Sequence, residues 1–202
     1  MSIKTVVLLL ILLDPGEFIS KNISNNIIVN STTLQSSINL KQNAFTLSLN
    51  EIFQEYKNGS INDEVVNVTF IIADDEFMIR NSIKRVILRQ LKAIKKNIKC
   101  NIIEACDGLE CIMALYIATT KQIKVDAIIS DENMAYMNGS YSSKVLENLM
   151  KQGKFAKTPM FVSSALLNIE LKEIFSSIVV KIYSKPLDNN SVIDLLQSCK
   201  LI

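Results

Sequence analysis

From Val66 onward, short apolar runs alternate with stretches whose apolar residues recur at helical spacing. Val68 to Ala73 is a compact apolar run and reads as a strand. Glu76 to about Lys96 reads as a helix. Ile79, Ile83, Val86, Ile87, Leu91 and Ile94 share one face, which Ile98 continues, while Arg85, Arg89, Lys92, Lys96 and Lys99 form a basic one. Asn101 to Cys106 is a second strand, closed by Asp107-Gly108, and Leu109 to Thr119 a second helix. Val125 to Ser130 is a third strand, followed by a helix over Ser140 to Gln152. Met160 to Ser163 is a fourth strand after Thr158-Pro159, with a short helix over Ile169 to Ser176. Val179 to Tyr183 is a fifth strand, and Asn189 to Leu201 the last helix. Five strand-helix units in succession imply an α/β fold, a doubly wound parallel sheet with helices on both faces. Ligands of such sheets bind outside the carboxyl ends of the strands.

The first 65 residues break this pattern. They are rich in Asn and Ser, interrupted by Pro15 and Gly59, and weakly periodic. We read residues 1–65 as an arm or linker, mostly irregular, with one short helix from Ala44 to Tyr56. Residues 66–202 form the second domain. The start, Met1 to Lys4 followed by Val6 to Leu13, has the charged tip and short apolar core of a secretory signal. It is too short to span a bilayer, and Asp14-Pro15-Gly16 follows where a cleavage site would lie. The expected location is cytoplasmic, with targeting the lesser alternative.

Composition narrows the function. The 202 residues are 49% hydrophobic, enough for one sizeable core. A net charge of +2 points to neither nucleic acid nor a membrane surface. The chain has no histidine, so it is no histidine kinase, histidine phosphocarrier or His-ligated metalloenzyme. Cys100, Cys106, Cys111 and Cys199 lack Cys-x-x-Cys spacing and read as small buried residues of a reducing compartment.

Four chemical signals stand at the ends of the first, third, fourth and fifth strands. They are Asp74-Asp75, Asp131, Ser163-Ser164 and Lys185-Pro186. Alone, an Asp pair suits a helix N-terminus, a serine bonds to backbone, and Lys-Pro is a surface loop. Together they describe a phosphoryl-transfer site. Three converging carboxylates repel one another unless a cation sits among them, and oxygen-only ligands favour magnesium. Asp131 is the nucleophile. Lys185 and Ser164 stabilise the transferring group electrostatically.

These stretches resemble the receiver domains of two-component and phosphorelay response regulators. The resemblance lies in Phe70-Ile-Ile-Ala-Asp-Asp-Glu-Phe, Glu104-Ala-Cys-Asp-Gly-Leu-Glu, Asp126-Ala-Ile-Ile-Ser-Asp-Glu-Asn-Met, Met137-Asn-Gly, Thr158-Pro-Met-Phe-Val-Ser-Ser-Ala and Tyr183-Ser-Lys-Pro-Leu. It covers about Val66 to Leu201. It implies a flavodoxin-like (βα)5 sheet of order 2-1-3-4-5 and phosphorylation of Asp131 by a histidine kinase or histidine phosphotransfer protein. It also implies magnesium held by Asp75, Asp131 and the Asn133 carbonyl, with Asp74 acting through water. Counted from Pro159, Ser164 matches the family's switch hydroxyl. Two positions depart. Ala135 stands where the family usually has proline, which implies a less rigid loop. Ile182 stands where a switch aromatic is common, and the adjacent Tyr183 would point to the other face of its strand. The expected output is by contact with a downstream protein, unless the chain is the tail of a longer hybrid kinase.

Two rivals remain at this level. One is a binding module with this fold that moves no phosphate. The other is a phosphohydrolase with an Asp nucleophile, which would need an acid two residues later where this chain has Asn133.

Overall fold

The computed structural model describes residues 66–94, 97–165 and 174–201. The expected arm, the short helix expected over Ala44 to Tyr56 and the apolar start lie outside the described residues, as does most of the helix expected over Ile169 to Ser176. Among the described residues there are five strands: β1 (Val66–Ala73), β2 (Ile98–Ala105), β3 (Ala127–Asp131), β4 (Met160–Ser164) and β5 (Val179–Ser184). Four described helices lie between or after them: α1 (Phe77–Ala93), α2 (Gly108–Thr120), α3 (Gly139–Lys151) and α4 (Asn189–Ser198). All neighbouring strands are parallel, in the order β2-β1-β3-β4-β5. This is the flavodoxin-like order expected from the sequence.

The central strands are apolar because helices cover both their faces. Every residue of β3 and β4 is buried. On one face, Ile83, Val86, Ile87 and Leu91 of α1 and Val192, Leu195 and Leu196 of α4 pack over Phe70, Ile72, Ile129, Phe161 and Tyr183. On the other, α2 packs on β1 and β2 and against α3.

The helix starts are set by local chemistry. Asp107 caps α2 by accepting from the Glu110 amide at 2.8 Å, and the Glu110 carboxylate accepts from the Cys106 amide at 2.8 Å. This reciprocal pairing is close to a capping box. Asn138 accepts from Tyr141 at the start of α3, and Asp188 from Ser191 at the start of α4.

The structure corrects one boundary. The helical pattern runs on through Ile98 and Lys99, yet α1 ends at Ala93 and both residues belong to β2. Val66 and Asn67 pair with Ile98 and Lys99, so the β1 ladder claims them. Ile94 to Ile98 fits a helical face equally well, and tertiary pairing decides.

Cys100, Cys106, Cys111 and Cys199 are not paired in disulfides; Cys111 is buried and the other three are half-buried. Burial pushes the Cys100 and Cys111 thiols up to about 12 and Cys199 up to about 11, with the Asp126 or Asp107 charge adding to the effect. A raised folded-state value means that the folded protein keeps a proton the unfolded chain releases. The stabilising contribution is complete below pH 9, the ordinary thiol value. It is lost as pH climbs from there toward the folded-state values. Unfolding free energy measured in denaturant from pH 8 to 11 is therefore expected to fall, and less steeply in Cys100→Ala. An equal slope in that variant would contradict the assignment.

Candidate functional site

β1 and β3 deliver acids to one edge of the sheet. β1 ends at Ala73, which pairs with Ser130, so Asp74 and Asp131 follow on adjacent strands. Asp74 and Asp131 are buried and Asp75 is exposed. Their carboxylate oxygens all lie within 4.8 Å of one another. Three hard oxygen donors at that spacing fit a small divalent cation, and the donor set suits magnesium better than a softer metal.

Lys185 reaches this cluster from the end of β5. Its ammonium donates to Asp74 Oδ2 at 2.8 Å and lies 2.9 Å from Asp131 Oδ2. The two charge partners come from opposite ends of the domain, 111 residues apart in the case of Asp74. The Lys185–Pro186 peptide bond is cis. The Lys185 backbone amide donates to the Ser164 carbonyl at 3.0 Å, which joins this loop to the end of β4.

The charges push against one another. Burial raises the Asp131 carboxyl above the usual carboxylate range. The hydrogen bond and charge of Lys185 oppose that, the Asp74 charge adds to it, and the Asn133 backbone amide opposes it. Burial alone would pull the Lys185 ammonium down, but its bonds to Asp74 and Asp131 outweigh this and hold it above the ordinary lysine value. The lysine stays charged and occupies the position between the acids that a second cation would share.

Ser164 is buried at the end of β4, one residue past Ser163, which pairs with Asp131 across the ladder. Ser163 is also buried, and its hydroxyl has no hydrogen-bond partner among the described residues. Asn133 is exposed in the loop after β3. The sequence-predicted residues Asp74, Asp75, Asp131 and Lys185 are thus gathered into one cluster. Ser164 and Asn133 stand at the two neighbouring loop ends.

Tyr183 follows the alternation predicted for it. It is buried on the α1/α4 face and stacks on Phe161, with ring centroids 6.2 Å apart. Its hydroxyl donates to Asp194, which also takes Lys181 at 2.9 Å. The tyrosine is held on the far face of the strand from Ile182.

Two features of the site lie beyond the sequence reading. Arg80 donates to the Asp74 carbonyl at 2.6 Å and to Glu104 at 3.4 Å, which fastens the acid pair to β2. The loop after Asp131 is also tied more firmly than Ala135 implies. The Gly108 amide donates to the Met137 carbonyl at 2.9 Å, and the Gly139 amide to the Glu132 carbonyl at 3.0 Å. A Cβ on Gly139 would lie 2.4 Å from the Asp131 carbonyl oxygen, so only glycine allows that approach. No sequence signal marked Glu132, because its partners come from the following helix.

No family model matches the chain, and no curated protein does. Solved structures do. A two-component response regulator from Cytophaga hutchinsonii is 20% identical, with a TM-score of 0.55, over 68% of this chain and 98% of that one. A two-component response regulator from Legionella pneumophila is 25% identical, with a TM-score of 0.50, over 67% of this chain and 99% of that one. The structures this chain resembles include many receiver domains of response regulators, and it shares their fold.

Proposed function

We propose that residues 66–202 are a phosphoacceptor receiver domain, preceded by an arm over 1–65, and that Asp131 takes a phosphoryl group from a histidine phosphodonor. The observation that carries this is the cluster of Asp74, Asp75 and Asp131 with Lys185 bridging two of the acids. A surface salt bridge needs one acid. Here three acids and a lysine share one strand edge, and burial disfavours the ionised form of Asp131. Perturbed carboxylates in such an arrangement mark functional sites.

In the step itself, an Asp131 carboxylate oxygen attacks phosphorus and forms an acyl phosphate. The bond from phosphorus to the donor's imidazole nitrogen breaks, and the imidazole leaves neutral or takes a proton from solvent. The 202 residues contain no histidine, and the donor is a histidine kinase or a histidine phosphotransfer protein. Lys185 and Ser164 stabilise the oxygens of the transferring group. Magnesium would be held by Asp75, Asp131 and the Asn133 carbonyl, with Asp74 acting through water. When bound it offsets charge on the attacking and transferring oxygens. Ser164 then moves toward the phosphoryl group, and the surface of the last two strand-helix units repacks for a downstream protein. The expected location is cytoplasmic. Among the described residues no helix is long and apolar enough to cross a membrane.

Incubation with acetyl phosphate and magnesium, followed by intact mass, tests the reading. One added phosphoryl group, lost on chelation of magnesium before the reaction, is the expected outcome. Unchanged mass would support a binding module with this fold. Continued release of phosphate from an ordinary ester would instead support a phosphohydrolase.

A further inference from the structure

Glu132 follows the acceptor directly and is 6% exposed. A buried carboxylate at the surface of a loop is costly unless its oxygens are used. Both are. Oε2 accepts from the Ser140 backbone amide at 2.7 Å, and Oε1 accepts from the Ser140 hydroxyl at 2.9 Å. The Glu132 backbone carbonyl accepts from the Gly139 amide at 3.0 Å. One residue thus takes three hydrogen bonds from the first two residues of α3.

Part of its role is capping, since the Ser140 amide is a first-turn donor of α3 that Asn138 does not take. Asn138 caps α3 by accepting from the Tyr141 amide at 3.1 Å. The Glu132 bonds also close the neck of the loop over residues 133–138. The start of α3 is then fixed against the acceptor, because Gly139 packs onto the Asp131 carbonyl too closely for any Cβ. Ala135 is exposed within that loop, and no proline ring stiffens it.

We infer that Glu132 is a positioning residue: by clasping Ser140 it fixes the turn from Asp131 to Asn133, and with it the oxygens that meet the cation. This rests on the phosphoacceptor reading. Groups that orient metal ligands from behind typically change metal affinity about 10- to 100-fold when removed. They do so without touching the reacting atoms.

Glu132→Ala, Glu132→Gln and Ser140→Ala test this. In the metal-free protein, amide exchange followed by NMR is expected to show loss of protection at Ser140 in Glu132→Ala. Calorimetric titration with magnesium alone is expected to show binding weakened about 10-fold. At saturating magnesium the maximal rate with acetyl phosphate stays close to that of the unaltered protein, so the loss appears in metal affinity rather than turnover. Glu132→Gln is expected to restore both readouts, since its amide can accept from the Ser140 amide and donate to the hydroxyl. A folded Glu132→Ala with unchanged magnesium affinity overturns the inference, as does a Glu132→Gln as weak as Glu132→Ala. If Glu132→Ala does not fold, Ser140→Ala decides, with weakened magnesium binding expected and unchanged binding fatal. Should the unaltered protein neither bind magnesium nor gain a phosphoryl group, the phosphoacceptor reading itself fails. If it does both and Glu132→Ala matches it, only the positioning role fails.

Discussion

Asp131→Asn is expected to end phosphoryl addition and leave the fold standing. The carboxamide has the size of the acid but no anionic oxygen to attack phosphorus. Lys185 keeps its other partner, Asp74 Oδ2 at 2.8 Å, so no buried charge is stranded. Burial already disfavours the ionised Asp131, and a neutral side chain escapes that cost. The metal-free variant should therefore melt no lower than the unaltered protein. Magnesium should act differently on the two. A cation at 100 times its dissociation constant stabilises a folded protein by about 2.7 kcal/mol. Most of that gain is expected to vanish with one carboxylate gone. Intact mass after acetyl phosphate and thermal melts with and without magnesium check both parts. An Asn variant that gains the same mass would sink the assignment of the nucleophile, and an unchanged magnesium shift would remove Asp131 from the cation site.

Sequence pattern reached some parts of this molecule and not others, for physical reasons. The buried strands were legible because β3 and β4 are covered on both faces, and burial on two faces leaves an uninterrupted apolar run. Alternation also gave the side of Tyr183, since a strand has a strict period of two. The end of α1 was not legible. Ile94 and Ile98 are four apart, as a helix wants, and only the partner strand at Val66 shows that Ile98 is β2. The acids and Lys185 could be placed at strand ends, but their meeting depends on sheet order, which a single chain's periodicity does not contain. That order came from the resemblance. Glu132 was invisible for another reason. An acid beside Asp131 looks like solvated loop, and only the start of α3 folding back onto it makes it a buried acceptor.

Lys185→Ala is expected to lower the phosphorylation rate without lowering metal affinity. The Lys185 side chain is 20% exposed and bonds to two carboxylates at 2.8 and 2.9 Å. Without it, Asp74 and Asp131 face each other with no cation between. Two unit charges at about 4–5 Å repel by roughly 1 to 4 kcal/mol between bulk-water and protein-surface screening. The metal-free variant should lose stability at neutral pH. Added magnesium should restore it, because the ion then meets acids that no longer share their charge with an ammonium. Magnesium affinity is accordingly expected to hold or rise. The rate with acetyl phosphate is expected to fall about 10²- to 10³-fold, the usual loss when one preorganised donor to a developing charge is removed. Lys185→Arg should recover only part of the rate, because a planar fork does not reproduce a compact point charge between two acids. Magnesium titration and single-turnover mass addition on the same preparations separate the two effects. If rate and metal affinity fell together, Lys185 would be holding the acids in place. A rate loss with affinity kept or raised leaves the ammonium as the group that meets the transferring phosphoryl oxygens.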